Sequence, residues 1–74
     1  LQALRSGFSC TLGGGAHHAF RDRGRGYCIF NDIACAALGL LESGVVKRLA
    51  VFDCDVHQGD GTASILANTP SIFT

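Results

Sequence analysis

The apolar positions of this chain fall in short blocks separated by polar and glycine-rich stretches. Phe8-Ser9-Cys10-Thr11-Leu12 predicts a short strand that ends in Gly13-Gly14-Gly15, three residues that let the backbone turn freely and approach another group closely. Residues 16–27 form a polar loop that holds His17-His18 and the run Arg21-Asp22-Arg23-Gly24-Arg25-Gly26. The arginines read as a solvated loop, with an anion site as the alternative. The run Ile33-Ala34-Cys35-Ala36-Ala37-Leu38-Gly39-Leu40-Leu41 is rich in strong helix formers and nearly apolar all round, which predicts a helix buried between other elements. Asn31 or Asp32 is its natural N-cap, and Ser43-Gly44 its stop. Leu49-Ala50-Val51-Phe52 predicts a fully buried strand of a parallel sheet. Residues 61–67 predict a short helix with Asp60 or Thr62 near its start, Asn68-Thr69-Pro70 a turn, and residues 71–74 the beginning of another strand.

The expected order is strand, long loop, helix, strand, loop, helix, strand. Alternation of this kind implies an α/β architecture with a mainly parallel sheet. Function in such sheets gathers outside the carboxyl ends of the strands. Both polar clusters fall there, His17-His18 after the first strand and Asp53 through Asp60 after the second.

Composition narrows the functional classes. Six Lys and Arg balance six Asp and Glu, so no basic excess points to nucleic acid. A hydrophobic share of 47% argues against a disordered tail. No apolar run approaches the roughly 18 residues of a membrane span, and the opening Leu1-Gln2-Ala3-Leu4-Arg5 does not read as a secretory leader. With 74 residues, no Met and apolar stretches at both ends, the chain reads as a piece of a longer protein. Cys10, Cys35 and Cys54 lie within apolar runs and are expected to be small buried hydrophobes. The absence of a C-x-x-C spacing removes a cysteine zinc ribbon, and a reducing, cytoplasmic setting is the expectation.

The second cluster reads Asp53-Cys54-Asp55-Val56-His57-Gln58-Gly59-Asp60-Gly61. Residues two apart in an extended chain share a face, so Asp53, Asp55 and His57 can project together. Carboxylate and imidazole at that spacing suit a divalent metal of the zinc type, although two ligands cannot close a tetrahedral site. The competing reading is a strand end whose acids cap the next helix. His17 and His18 follow the glycine turn and have few apolar neighbours. Near a metal-bound water they make a general base and general acid pair, with Asp53 and Asp60 as the spare carboxylates that could orient them. No dinucleotide fingerprint, phosphate loop or nucleophile elbow is present, and Cys28 as a nucleophile would leave Asp53, Asp55 and His57 without a role.

Three motifs in order, Gly13-Gly14-Gly15-Ala16-His17-His18-Ala19, Gly26-Tyr27-Cys28-Ile29-Phe30-Asn31-Asp32 and Asp53-Cys54-Asp55-Val56-His57-Gln58-Gly59-Asp60-Gly61-Thr62, resemble the zinc-dependent histone deacetylase superfamily, most closely its bacterial deacetylase-like members. The resemblance covers residues 9–74. It implies a fragment of an arginase-like three-layer α/β/α fold with a central parallel sheet, residues 1–74 being part of a single catalytic domain. It implies hydrolysis of an acetyl-lysine-type amide by a zinc-bound water. Asp55 and His57 would be two of three zinc ligands, and His17 and His18 the proton-transfer pair, oriented by Asp53 and Asp60 respectively. Tyr27 would line the acyl-lysine tunnel, Gly26 would offer its carbonyl to the substrate amide, and Cys28 would sit near the acetyl group. A potassium ion beside the zinc, held partly by Asp53, Asp55 and His57, is also implied.

Gln58 stands where many eukaryotic members have a further histidine that is not a ligand. The family's third zinc ligand and its transition-state tyrosine lie beyond Thr74, so this chain alone is expected to have no appreciable activity. Acetylpolyamine amidohydrolases and acetoin-utilisation proteins share these motifs, which keeps a small acetylated amine open as substrate. A third possibility is a catalytically silent module that binds a partner through an exposed sheet edge or apolar surface.

Overall fold

The computed structural model describes residues 1–74. Its elements are α1 (Gln2–Ser6), α2 (Asp32–Glu42), β1 (Leu49–Ala50), α3 (Asp60–Leu66) and β2 (Ile72–Phe73). β1 and β2 pair in parallel, with Leu49 opposite Ile72 and Ala50 opposite Phe73, and α3 is the crossover between them. The chain is therefore an α/β fold built on a two-stranded parallel sheet, the connection that parallel pairing requires. Backbone bonds from Leu49 N–H to Ser71 (3.0 Å) and from Val51 N–H to Phe73 (2.8 Å) extend the ladder beyond the paired residues.

The expected α2 is present because its ends are specified locally. Asn31 is the N-cap, and its Oδ1 accepts the N–H of Ala34 at 2.9 Å. Ser43 closes the helix, and Gly44 follows in the left-handed region at φ 74°. Ala34 and Ala37, one helical turn apart, are buried against Leu66 of α3 and Ile72 of β2. Leu38, Leu41, Leu49, Val51 and Ile65 pack around this small core.

Four expectations about burial and order are corrected. Residues 8–12 form no strand; Phe8 is 78% exposed and Leu12 fully exposed, because no neighbouring strand pairs with their backbone groups. A short helix, α1, stands at the start instead. α2 is buried along one stripe only, with Cys35, Ala36 and Gly39 exposed on the other side. The strand expected at residues 49–52 is shorter, β1 covering Leu49–Ala50, and the segment is half-buried, with Leu49 and Val51 packed on the core while Ala50 and Phe52 are exposed. Cys10, Cys35 and Cys54 are exposed and free, so their apolar neighbours in sequence do not enclose them; Cys28 is half-buried.

Candidate functional site

The two polar clusters converge. A cavity of about 380 Å³ is lined by Gly15, His17, His18, Gly26, Tyr27, Cys28, Asp55 and His57. The rings of His17 and His18 lie 4.2 Å apart between centroids, and those of His18 and His57 6.1 Å apart, edge to face. Asp53 and Asp60 stand behind the first two histidines.

His17 is held at backbone and side chain alike. Its N–H donates to Gly15 (2.8 Å), and its carbonyl accepts the N–H of Thr62 in the first turn of α3 (3.0 Å). Its Nδ1 lies 2.6 Å from Oδ2 of Asp53. Gly59 is tight against this pair: a Cβ there would come within 2.5 Å of the Asp53 carboxylate and 3.2 Å of the His17 ring. His18 Nδ1 lies 2.8 Å from Oδ1 of Asp60. An ionised carboxylate only accepts, so both Nδ1 atoms carry the proton and donate it. The Nε2 atom of each neutral ring then holds the lone pair.

The acidic segment is a series of side-chain turns and not a strand. Oδ1 of Asp53 accepts the N–H of Asp55 (2.9 Å), and Oδ1 of Asp55 accepts the N–H of His57 (2.8 Å). Such side-chain turns favour Asp after a strand end. The His57 ring bends back so that its Nδ1 lies 2.9 Å from the same Asp55 oxygen. The Nε2 of His17 lies 4.0 Å from it.

These contacts set the local electrostatics. The hydrogen bond to Asp53 raises the pKa of His17, against the opposing effect of burial. Asp53 is held below the usual carboxylate range, first by His17 and then by the N–H of Asp55. Asp55 is lowered chiefly by the N–H of His57 and then by its ring. Asp60 is lowered chiefly by His18, with the charge of Arg25 adding to the effect.

Asp55 and His57 are of the donor types a zinc-type ion takes, and they would supply two of its four ligands. Their facing Oδ1 and Nδ1 atoms, 2.9 Å apart, are near the spacing of about 3.3 Å that two ligands with bonds of about 2.0 Å adopt on one tetrahedral ion. No three His, Cys, Asp or Glu side chains gather into a fuller set.

Gly26, Tyr27 and Cys28 form one wall of the cavity as a tight turn. Arg25 and Cys28 exchange backbone bonds of 2.9 and 2.8 Å, and the two residues between them have φ of 52° and 64°. Two consecutive left-handed residues are the signature of a type I′ turn, and Gly26 accepts that conformation without cost. Tyr27 accepts it as the chain's one non-glycine residue at positive φ, and its side chain stands fully exposed at the rim.

Three contributors were not read from the sequence. Asp32 accepts the N–H groups of Gly15 (3.0 Å) and Ala16 (2.8 Å), which pins the glycine loop ahead of the histidines and lowers the pKa of Asp32, Ala16 having the larger effect. Asn31 donates from its buried Nδ2 to Ala19 and to Thr62 Oγ1, both at 3.0 Å, besides capping α2. Arg25 lies in an exposed loop, as expected, and also pairs with Oδ2 of Asp60. The sequence signals nearest to these roles are the helix cap at Asn31-Asp32 and the anion-site alternative for the arginine run.

The family profile described as histone deacetylase domain matches residues 1–74. An uncharacterized protein of Picosynechococcus sp. is 47% identical over 72 residues, covering 97% of this chain and 24% of its own length. A probable deacetylase of Methanothermobacter thermautotrophicus is 49% identical over 65 residues, covering 86% and 20%. The acetoin utilization protein AcuC of Bacillus subtilis is 38% identical over 73 residues, covering 99% and 18%. The chain thus spans about a quarter or less of the length of these relatives.

Proposed function

The chain belongs to the histone deacetylase domain family, and from that premise we propose that it supplies two metal ligands and the proton-transfer pair of a zinc-dependent amide hydrolase. The arrangement supporting this reading is the single cavity onto which His17, His18, Asp55 and His57 all open. Asp55 and His57 would hold the ion, with the remaining ligand supplied by residues outside this chain. An ion held there would supply Lewis acidity, polarising an acetyl carbonyl and lowering the pKa of a water toward about 7.

The protein's own groups do the rest. His17 and His18, each ring fixed by its own carboxylate, turn an unprotonated Nε2 to the cavity when neutral, so each accepts a proton there and donates it back once it is an imidazolium. A positioned acid or base of this kind contributes roughly 10²–10⁴-fold to the rate. Asp53 stabilises the imidazolium that forms when His17 takes a proton. The Gly26 carbonyl accepts the N–H of the substrate amide, Tyr27 flanks the entering chain at the rim, and Cys28 borders the acetyl group. The substrate class is an acetyl-lysine-type amide.

The test is hydrolysis of an acetyl-lysine fluorogenic peptide by the intact protein, stripped of metal and then restored with zinc. Turnover should require zinc and fall by about 10²-fold or more in His17→Ala and in His18→Ala. Metal-independent turnover, or turnover indifferent to both substitutions, would overturn the reading. The 74-residue chain alone should show none, because it brings only two ligands.

A further inference from the structure

One turn touches His18 on two sides. A Cβ on Gly26 would lie 2.7 Å from Cδ2 of the His18 ring, so the Gly26 backbone rests directly against that imidazole. The residue before it, Arg25, sends its guanidinium to Oδ2 of Asp60, while Oδ1 of the same carboxylate takes the His18 Nδ1–H at 2.8 Å. Oδ1 also accepts the N–H of Gly61 at 3.0 Å. Asp60 opens α3, and its side chain is only 20% exposed. The turn, closed by the paired Arg25 and Cys28 backbones, is therefore tied both to the ring and to the group that orients it.

We propose that Arg25 is a positioning residue for His18: by occupying the outer oxygen of Asp60 it fixes the plane of the carboxylate, and so the direction of the imidazole, and it couples that direction to the turn that forms the cavity rim. The argument rests on the hydrolase reading only for the catalytic consequence; the coupling of Arg25 to the ring stands on geometry alone. A carboxylate that takes an Arg N–H on one oxygen and an imidazole N–H on the other loses its freedom to rotate about Cβ–Cγ. Without the guanidinium, Asp60 keeps its bond to His18 but can swing the ring with it. The effect is modest, because the guanidinium is 61% exposed and water competes for it.

The experiment uses Arg25→Met and Arg25→Lys in the intact protein, read by the ring ¹⁵N shifts of His18 and by steady-state hydrolysis of the acetyl-lysine peptide. In Arg25→Met the His18 shifts should move, and kcat should fall by about two- to fivefold, the kinetic equivalent of up to one exposed ion pair, with KM nearly unchanged. Arg25→Lys, which keeps the charge and serves if the Met variant folds poorly, should shift His18 less and retain more activity. Unmoved His18 shifts would overturn the proposal, and so would moved shifts with undiminished kcat in an active protein. Moved shifts in a protein whose wild type hydrolyses nothing would support the coupling while removing the hydrolase reading, so the two failures are distinguishable.

Discussion

Nδ1 of His17 lies 2.6 Å from Oδ2 of Asp53, across 36 residues of sequence. The contact ties the end of the glycine loop to the segment that follows β1. Its energetics depend on pH in a fixed direction. His17 has a raised pKa, so its contribution to stability is complete below the unfolded-state value of about 6.5 and is lost as pH rises through the folded-state value. Asp53 has a lowered pKa, so its contribution is complete above about 3.9 and is lost as pH falls through the folded-state value. The pair should therefore stabilise most between about pH 4 and 6.5. Thermal unfolding across pH should show that Asp53→Asn flattens this profile and costs about 1 kcal/mol near pH 6, the ordinary worth of a part-exposed charged hydrogen bond. An NMR titration should place His17 lower in the variant, and an unchanged His17 titration would remove Asp53 as the cause.

Metal should compete with the proton on His57. The Nδ1–H that now donates to Asp55 has to give way before that nitrogen can bind zinc, the ring proton passing to Nε2, so binding should replace the His57–Asp55 hydrogen bond. The ring ¹⁵N shifts of His57 should show the proton move from Nδ1 to Nε2 on addition of zinc. His57→Ala and Asp55→Ala should each weaken zinc by on the order of tenfold or more. Zinc content indifferent to both would take them out of the ligand set.

Asn31→Ala should be the most damaging polar substitution in the core. It removes the α2 cap and leaves the Ala19 carbonyl and Thr62 hydroxyl short of a buried partner. Loss of the cap costs about 1 kcal/mol and the unpaired groups about as much again or more, so a loss of about 2–4 kcal/mol is expected in denaturant unfolding. A loss below about 1 kcal/mol would mean that water replaces the amide.

Asp32→Ala should loosen the glycine loop while α2 persists. Gly15 and Ala16 lose the acceptor of their N–H groups, and Asn31 remains as cap. Amide exchange at those two residues should quicken, with little change in the middle of α2. Because the Asp32 pKa is lowered, the wild-type protection should also fade as pH drops through the folded-state value. Equal exchange in both proteins would show that the loop is held by other contacts.

The parts of the fold legible in the sequence are those with local causes. α2, its Asn cap and its Gly44 stop follow from neighbouring residues, whereas Asp55 and His57 line the cavity and Asp53, two residues earlier, stands behind His17. The strand at residues 8–12 failed because a strand needs a partner, and no pattern within five residues says whether one is near. The cysteines failed for the same reason, since apolar neighbours in sequence do not determine which face a second layer covers. Asp32 and Arg25 have partners that no local pattern specifies, Gly15 and Ala16 in one case and Asp60 in the other, 16 to 35 residues away.

Asn31 binds a loop carbonyl, a residue of α3 and its own helix through one small amide. Such a junction makes chain length unequally negotiable. Extra residues between Glu42 and Leu49 would enlarge a connector that touches none of these partners. A single residue added between Ala19 and Asn31 would throw the amide out of step with its acceptors. Natural length variation in this segment should therefore accumulate on the connector and be purged from the stretch between the histidines and the cap.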